Sequence, residues 1–211
     1  MVRQELPDPG TPVRQVIADD SPLGRAIIQA SEAVALALSE LVGIPMRAAN
    51  PRVEVLPLCD LASIGGSPGD DVVALFLTYG GSDSGQIMLL YDLEQARMVA
   101  DQLLWNPPGT TVELDDMVLS ALSESGNILA SHFLTAIAET AGMRLEISTP
   151  KPLIDFRGAA LSVPAVAVAH KSDTFLSIRS DFHSDSLPSV GTTLLVVPDD
   201  GFDSTVIRSL S

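Results

Sequence analysis

The chain has 211 residues, of which 46% are hydrophobic and 18% charged; this suits one large packed domain or two small ones and excludes a disordered protein. Asp and Glu number 27 against 12 Lys and Arg, a formal net charge of −15, and aromatics are only 4%. Such a surface repels phosphate backbones and anionic lipid and offers few rings for base stacking, which argues against nucleic acid and membrane surfaces and for a partner with a basic patch.

Residues 1–20 are polar, carry Pro7, Pro9 and Pro12, and read as an N-terminal tail with no apolar signal segment. Ser21 followed by Pro22 is a helix start, with Ser as cap and Pro at the first helical position. The Ala- and Leu-rich stretch 22–42 then runs to Gly43, a natural C-terminal cap. Strand-like runs follow at 46–57, 72–79 and 85–91, the last two joined by G-G-S-D-S-G into a hairpin. Asp92 caps a helix to about residue 105, ended by N-P-P-G. A long helix is predicted from about 112 to 141, stopped by Gly142, then strands near 145–155, 174–182 and 191–197, and a short acidic helix near 200–209. The segment 163–169 fits either a strand or a helix entered at Ser162 and Pro164.

The order of elements repeats. Subtracting 99 places Pro150 on Pro51, Gly142 on Gly43, Glu139 on Glu40 and Leu122 on Leu23. A-L-S-E-L-V-G and A-I-A-E-T-A-G fill the same slot. The expected fold is therefore α+β: duplicated helix-plus-strands units, related by a pseudo-two-fold, share one sheet with two long helices on its surface. After the tail, residues 21–211 form one domain with halves of about 21–109 and 110–211.

On the long helix, at about 100° per residue, Val118, Leu122, Leu129, Phe133 and Ala136 fall on one face, the expected core face. Ser120, Glu124, Asn127 and Ser131 fall on the opposite one. A carboxylate and a carboxamide thus stand one turn apart between small hydroxyl residues, free to enter another molecule's cleft. A bare E-x-x-N reads equally as a solvated helix face. In the first half the equivalent positions are Ser21, Arg25, Ile28 and Glu32, so the halves agree in structural residues and differ on this face.

S-A-L-S-E-S-G-N at 120–127, with Pro150 after 22 further residues, resembles the signature of the CheC/CheX/FliY phosphatase family. P-R-V-E-V-L-P at 51–57 resembles the family too, and the likeness runs over roughly residues 21–209. The resemblance implies an enzyme that removes the phosphate from the aspartyl phosphate of a CheY-like response-regulator receiver. Asn127 would orient the attacking water and Glu124 would meet the receiver's lysine. Ser120 and Pro150 would be supporting motif positions, and Arg25 with Ile28 a degenerate first-half site. The family works by positioning, with magnesium held by the receiver and no cofactor on the phosphatase. The resemblance also brings in a CheD-like receptor deamidase as a second partner; residues 158–172 loosely resemble that interface. A non-catalytic adaptor on the same scaffold, gripping a receiver, a CheD-like protein or a flagellar switch component, is the alternative.

The remaining residues point elsewhere only weakly. His132, His170 and His183 have no ligand spacing, so no metal site is expected. No apolar run is long enough to span a bilayer, and the expected compartment is the cytoplasm. Cys59, the single cysteine, excludes an internal disulfide and reads as a buried or half-buried thiol. Trp105 reads as a core plug. Ile27 and Ile28 read as exposed, a possible homodimer face.

Overall fold

The computed structural model describes residues 14–168, 174–185 and 190–199. The expected acidic helix near 200–209 and His170 lie outside the described residues. Helix α1 (Pro22–Val42) begins where Ser21 accepts a hydrogen bond from the Gly24 amide at 3.0 Å, and it ends at Gly43, φ 69°. Strands β2 (Arg47–Pro57), β3 (Asp71–Gly81) and β4 (Gly85–Asp92) follow, then α2 (Leu93–Leu103), α3 (Asp116–Ala141), β5 (Leu145–Ile147) and β6 (Lys151–Phe156). Helix α4 (Arg157–Val168) and strands β7 (Thr174–His183) and β8 (Val190–Pro198) complete the described elements. A short strand β1 (Gln15–Val16) precedes them, and a 3-10 helix (Leu58–Ser63) follows β2.

All eight strands form one antiparallel sheet in the order β1-β2-β7-β8-β4-β3, with β5 and β6 both pairing with β3. The duplication is visible in that order. Exchanging β2 with β6, β7 with β3 and β8 with β4 leaves the sequence of neighbours unchanged. The two-fold therefore passes between β4 and β8, where Leu89 faces Leu194. Each half sends a strand into the other: β2 pairs with β7, and β6 pairs with β3. Neither half could complete its share of the sheet alone.

Both faces of the sheet are covered. Helices α1, α2 and α3 pack on one face over Val73, Leu75, Leu89, Ile178 and Leu194. The 3-10 helix and α4 cover the other over Val72, Ala74, Met88, Leu90 and Phe175. This explains why β3 and β4 read as unbroken apolar runs instead of alternating. The segment 163–168 resolves as helix, entered at Arg157 and carrying Pro164 inside it.

Several expectations need correction. The long helix starts at Asp116 and not near 112, because Asp115 caps it by accepting from Val118 N at 2.9 Å. The residues before it are held elsewhere: the Asp101 carboxylate, only 2% exposed, accepts from Gly109 N at 2.6 Å and Thr111 N at 2.9 Å. The expected strand 145–155 is two strands, broken at 148–150. Gln15–Val16, within the expected tail, pair with β2, and Ile17 is buried. Ile27 is fully buried and Ile28 half-buried. Cys59 is exposed. Trp105 is 70% exposed: its backbone turns left-handed, φ 59°, just past α2. The indole then lies over Gly43, where an added Cβ would stand 2.2 Å from its Cη2 atom.

Candidate functional site on helix α3

Helix α3 buries Val118, Leu122, Leu129, Phe133 and Ala136, the face that the spacing predicted. Its closest seat on the sheet is Gly126. A Cβ built there would stand 2.4 Å from Leu75 Cδ1 and 3.7 Å from Leu89 Cδ1, so any larger residue would force the helix or the Leu75 side chain to shift. The neighbouring Ser125 is also buried, and its hydroxyl donates to Leu122 O at 2.9 Å. Burial pushes the Tyr91 phenol up to about 12, against a smaller lowering by Ser125, and keeps it protonated. The pair Ser125-Gly126 therefore faces the core, and the helix turn that puts it there sends Glu124 and Asn127 outward.

Glu124 is exposed and Asn127 half-buried, three residues apart on one helix face. Neither side chain makes a hydrogen bond or ion pair with another described residue. Ser131, one turn on, donates its hydroxyl to Asn127 O at 2.7 Å, which engages the main chain and leaves the carboxamide free. Ser120 is exposed on the same stripe. Pro150 lies in the break between β5 and β6, one residue before β6, beside Ser148, whose hydroxyl accepts from Thr78 N at 3.0 Å. The arrangement is a projecting ridge of one acceptor carboxylate and one donor–acceptor carboxamide. It can complete a cleft on another molecule; it does not itself enclose a substrate.

The first-half positions look different. The Arg25 guanidinium donates to Asp20 O at the start of α1, and Ile28 is half-buried. The helices also begin differently. Ser21 is the cap of α1, whereas its counterpart Ser120 lies inside α3, because residues 15–20 form β1 and a turn where 116–119 are already helix. Between α1 and α3 runs a shallow groove of about 430 Å³, lined by small residues such as Ala26, Ala30, Ser131 and Ala136.

Sequence reasoning missed three residues that shape this region. Gly126 appeared only as a motif filler, and Asp101 and Arg157 not at all. Arg157 is buried, pairs with Asp92 at the start of α2 and donates to Ile64 O at 3.3 Å, tying α4 to the loop after the 3-10 helix. Among the described residues, no three His, Cys, Asp or Glu side chains group to hold a metal ion, and no helix is long and apolar enough to cross a membrane.

Residues 117–153 match the model of the CheC-like family, a stretch that contains Glu124, Asn127 and Pro150. The chain is 26% identical over 177 residues to the CheY-P phosphatase CheC of Bacillus subtilis, covering 82% of this chain and 85% of that one. In structure it is similar to Thermotoga maritima FliY, with a TM-score of 0.70 at 19% identity, over 89% of this chain and 91% of FliY. The FliM middle domain of H. pylori shares the fold at a TM-score of 0.59 and 12% identity, over 89% and 95% of the two chains. Family segment, curated relative and fold agree in what this chain is similar to: CheC-like proteins, the likeness that its motif carries.

Proposed function

We propose that the protein hydrolyses the aspartyl phosphate of a CheY-like receiver domain, with Asn127 and Glu124 inserted into the receiver's active site. The observation that carries this reading is the free, outward-facing Glu124–Asn127 pair on α3, seated by Gly126. The match of this stretch to the CheC-like family and the likeness to a CheY-P phosphatase support it.

In this reading the Asn127 carboxamide accepts a hydrogen bond from a water and fixes it in line with the phosphorus. The water oxygen forms the new P–O bond as the bond to the receiver's aspartate oxygen breaks. Inorganic phosphate leaves and the aspartate carboxylate is restored. Magnesium on the receiver would neutralise the phosphoryl oxygens, and this chain needs no cofactor of its own. Glu124 pairs with the receiver's lysine and sets the depth of insertion. A carboxamide serves here because it orients water without acquiring charge, so the contribution is positioning. Arg25 and Ile28 offer neither group, so the first-half face takes no part in turnover.

A phosphorylated receiver mixed with one-hundredth its amount of this protein tests the reading. Complete, multiple-turnover dephosphorylation is expected. Binding without turnover would instead assign the non-catalytic adaptor role, a reading kept alive by the fold shared with the FliM middle domain.

A further inference from the structure

Away from the α3 ridge, a cavity of about 760 Å³ opens between the C-terminal end of α1, the outer side of α2 and the loop 106–112. That volume falls in the range of small-molecule sites, about 300–1,000 Å³. Its apolar wall includes Val42, Ile44, Met98, Trp105 and Val112. Neither Glu124 nor Asn127 lines it.

Three features mark it as a built site. The first is Arg97, on the α2 wall. Its Nε is cut off from solvent and has no hydrogen-bond partner, and no carboxylate among the described residues lies within ion-pair distance. Glu94 and Asp101 stand three residues before it and four after it on α2, the usual spacing for a helical ion pair. Asp101 is taken instead by Gly109 N, Thr111 N and the Thr110 hydroxyl. The loop that forms one wall thus takes up one of the two carboxylates spaced to pair with Arg97, and Glu94, exposed on the cavity lining, stands outside ion-pair distance.

The second feature is Trp105. A bulky residue at φ 59° is strained, and such backbone persists where surrounding structure fixes it, often at ligand clamps. Its indole is held over Gly43 and yet is 70% exposed, so it presents ring surface that folding leaves uncovered. The third is rigidity: the Asp101 hydrogen bonds pin the loop, so the cavity is formed in advance.

We infer that this cavity binds a small amphipathic organic anion, its aromatic or aliphatic body against Trp105 and Met98 and its carboxylate, sulfonate or phosphate on Arg97. An unpaired, partly buried guanidinium favours an anion, and charge-assisted bonds to it are the strong kind. The apolar wall sets the demand for a hydrophobic body.

Trp105 is the chain's sole tryptophan, so its fluorescence reports on the cavity directly. The probes are 8-anilinonaphthalene-1-sulfonate and its uncharged counterpart N-phenyl-1-naphthylamine, titrated into the full chain. The sulfonate is expected to saturate at one per chain, with energy transfer from Trp105. Arg97→Gln should weaken the sulfonate about tenfold and leave the uncharged probe unchanged. Val112→Glu, at an exposed position of the apolar wall, should also weaken the sulfonate, with no risk to the core. Binding that does not saturate, or sulfonate affinity that both variants leave unaltered, overturns the inference.

Discussion

The seating of α3 can be tested at a single atom. Gly126→Ala would ordinarily stabilise a helix interior by about 1 kcal/mol, because alanine is the better helix former. Here the new Cβ would stand 2.4 Å from Leu75 Cδ1, whereas carbons in contact sit about 3.5–4.0 Å apart. The helix or the leucine must therefore move by more than about an ångström, and Leu75 is fully buried in a close-packed core. Overpacking of this kind costs about 1–3 kcal/mol, which equals or exceeds the helical gain of about 1 kcal/mol. The expected net loss is about 1 kcal/mol or somewhat more, a fall in Tm of about 2–5 °C for a chain this size. Denaturant unfolding and calorimetry measure it, and a double-mutant cycle isolates the cause. In a Leu75→Ala background the new methyl enters vacated space, and Gly126→Ala should stabilise by about 1 kcal/mol. A Gly126→Ala protein that is more stable than the parent with Leu75 intact would refute the claim that close approach, and not chance, requires glycine here.

The remaining expectations concern polar groups. Asp101→Ala leaves the Gly109 and Thr111 amides without their acceptor and should cost about 2–4 kcal/mol by denaturant unfolding. Burial works to raise the Asp101 pKa, but hydrogen bonds from Thr111, Gly109 and Thr110 outweigh it and hold the group below its ordinary value. A depressed folded pKa means stability that is fully present above the unfolded value, about 3.9, and lost as pH falls through the folded one. Asp101→Asn should therefore flatten the acid limb of a stability–pH curve below about pH 4. Arg157→Met removes a buried guanidinium; its partner Asp92 is half-exposed and can hydrate, so the loss should be about 1–3 kcal/mol in the same assay. The double variant Arg25→Ala, Ile28→Ala should leave receiver dephosphorylation unchanged in a turnover assay.

Much of the fold was legible because its signals are local. Ser21-Pro22 and Gly43 bracket α1, G-G-S-D-S-G makes the β3–β4 hairpin, and the 99-residue repeat announces two related halves. The exchange of β2 and β6 between halves was not legible, since antiparallel pairing between strands this far apart in sequence leaves no mark in short-range pattern. Two of the errors come from contacts that short-range pattern does not reveal. The N-terminal end of α3 was placed too early because nothing near residue 112 reveals that Asp101 holds the preceding loop. Trp105 was placed in the core because large rings are usually buried, but Gly43 at the end of α1 offers it a surface seat. At the candidate site, the Glu124–Asn127 face followed from helical periodicity alone. Gly126 and Arg157 did not, because their roles exist only against Leu75 and Asp92.

The most direct test of the proposed activity is the decay of a phosphorylated receiver from the same organism, with catalytic amounts of this protein beside Asn127→Ala. The Asn127 side chain has no partner among the described residues, so the variant should keep its stability to within about 0.5 kcal/mol. The account predicts many turnovers by the parent protein and a rate lower by about 100-fold or more in the variant, the scale of a lost transition-state positioning contact. An Asn127→Ala protein that dephosphorylates the receiver as fast as its parent would contradict it.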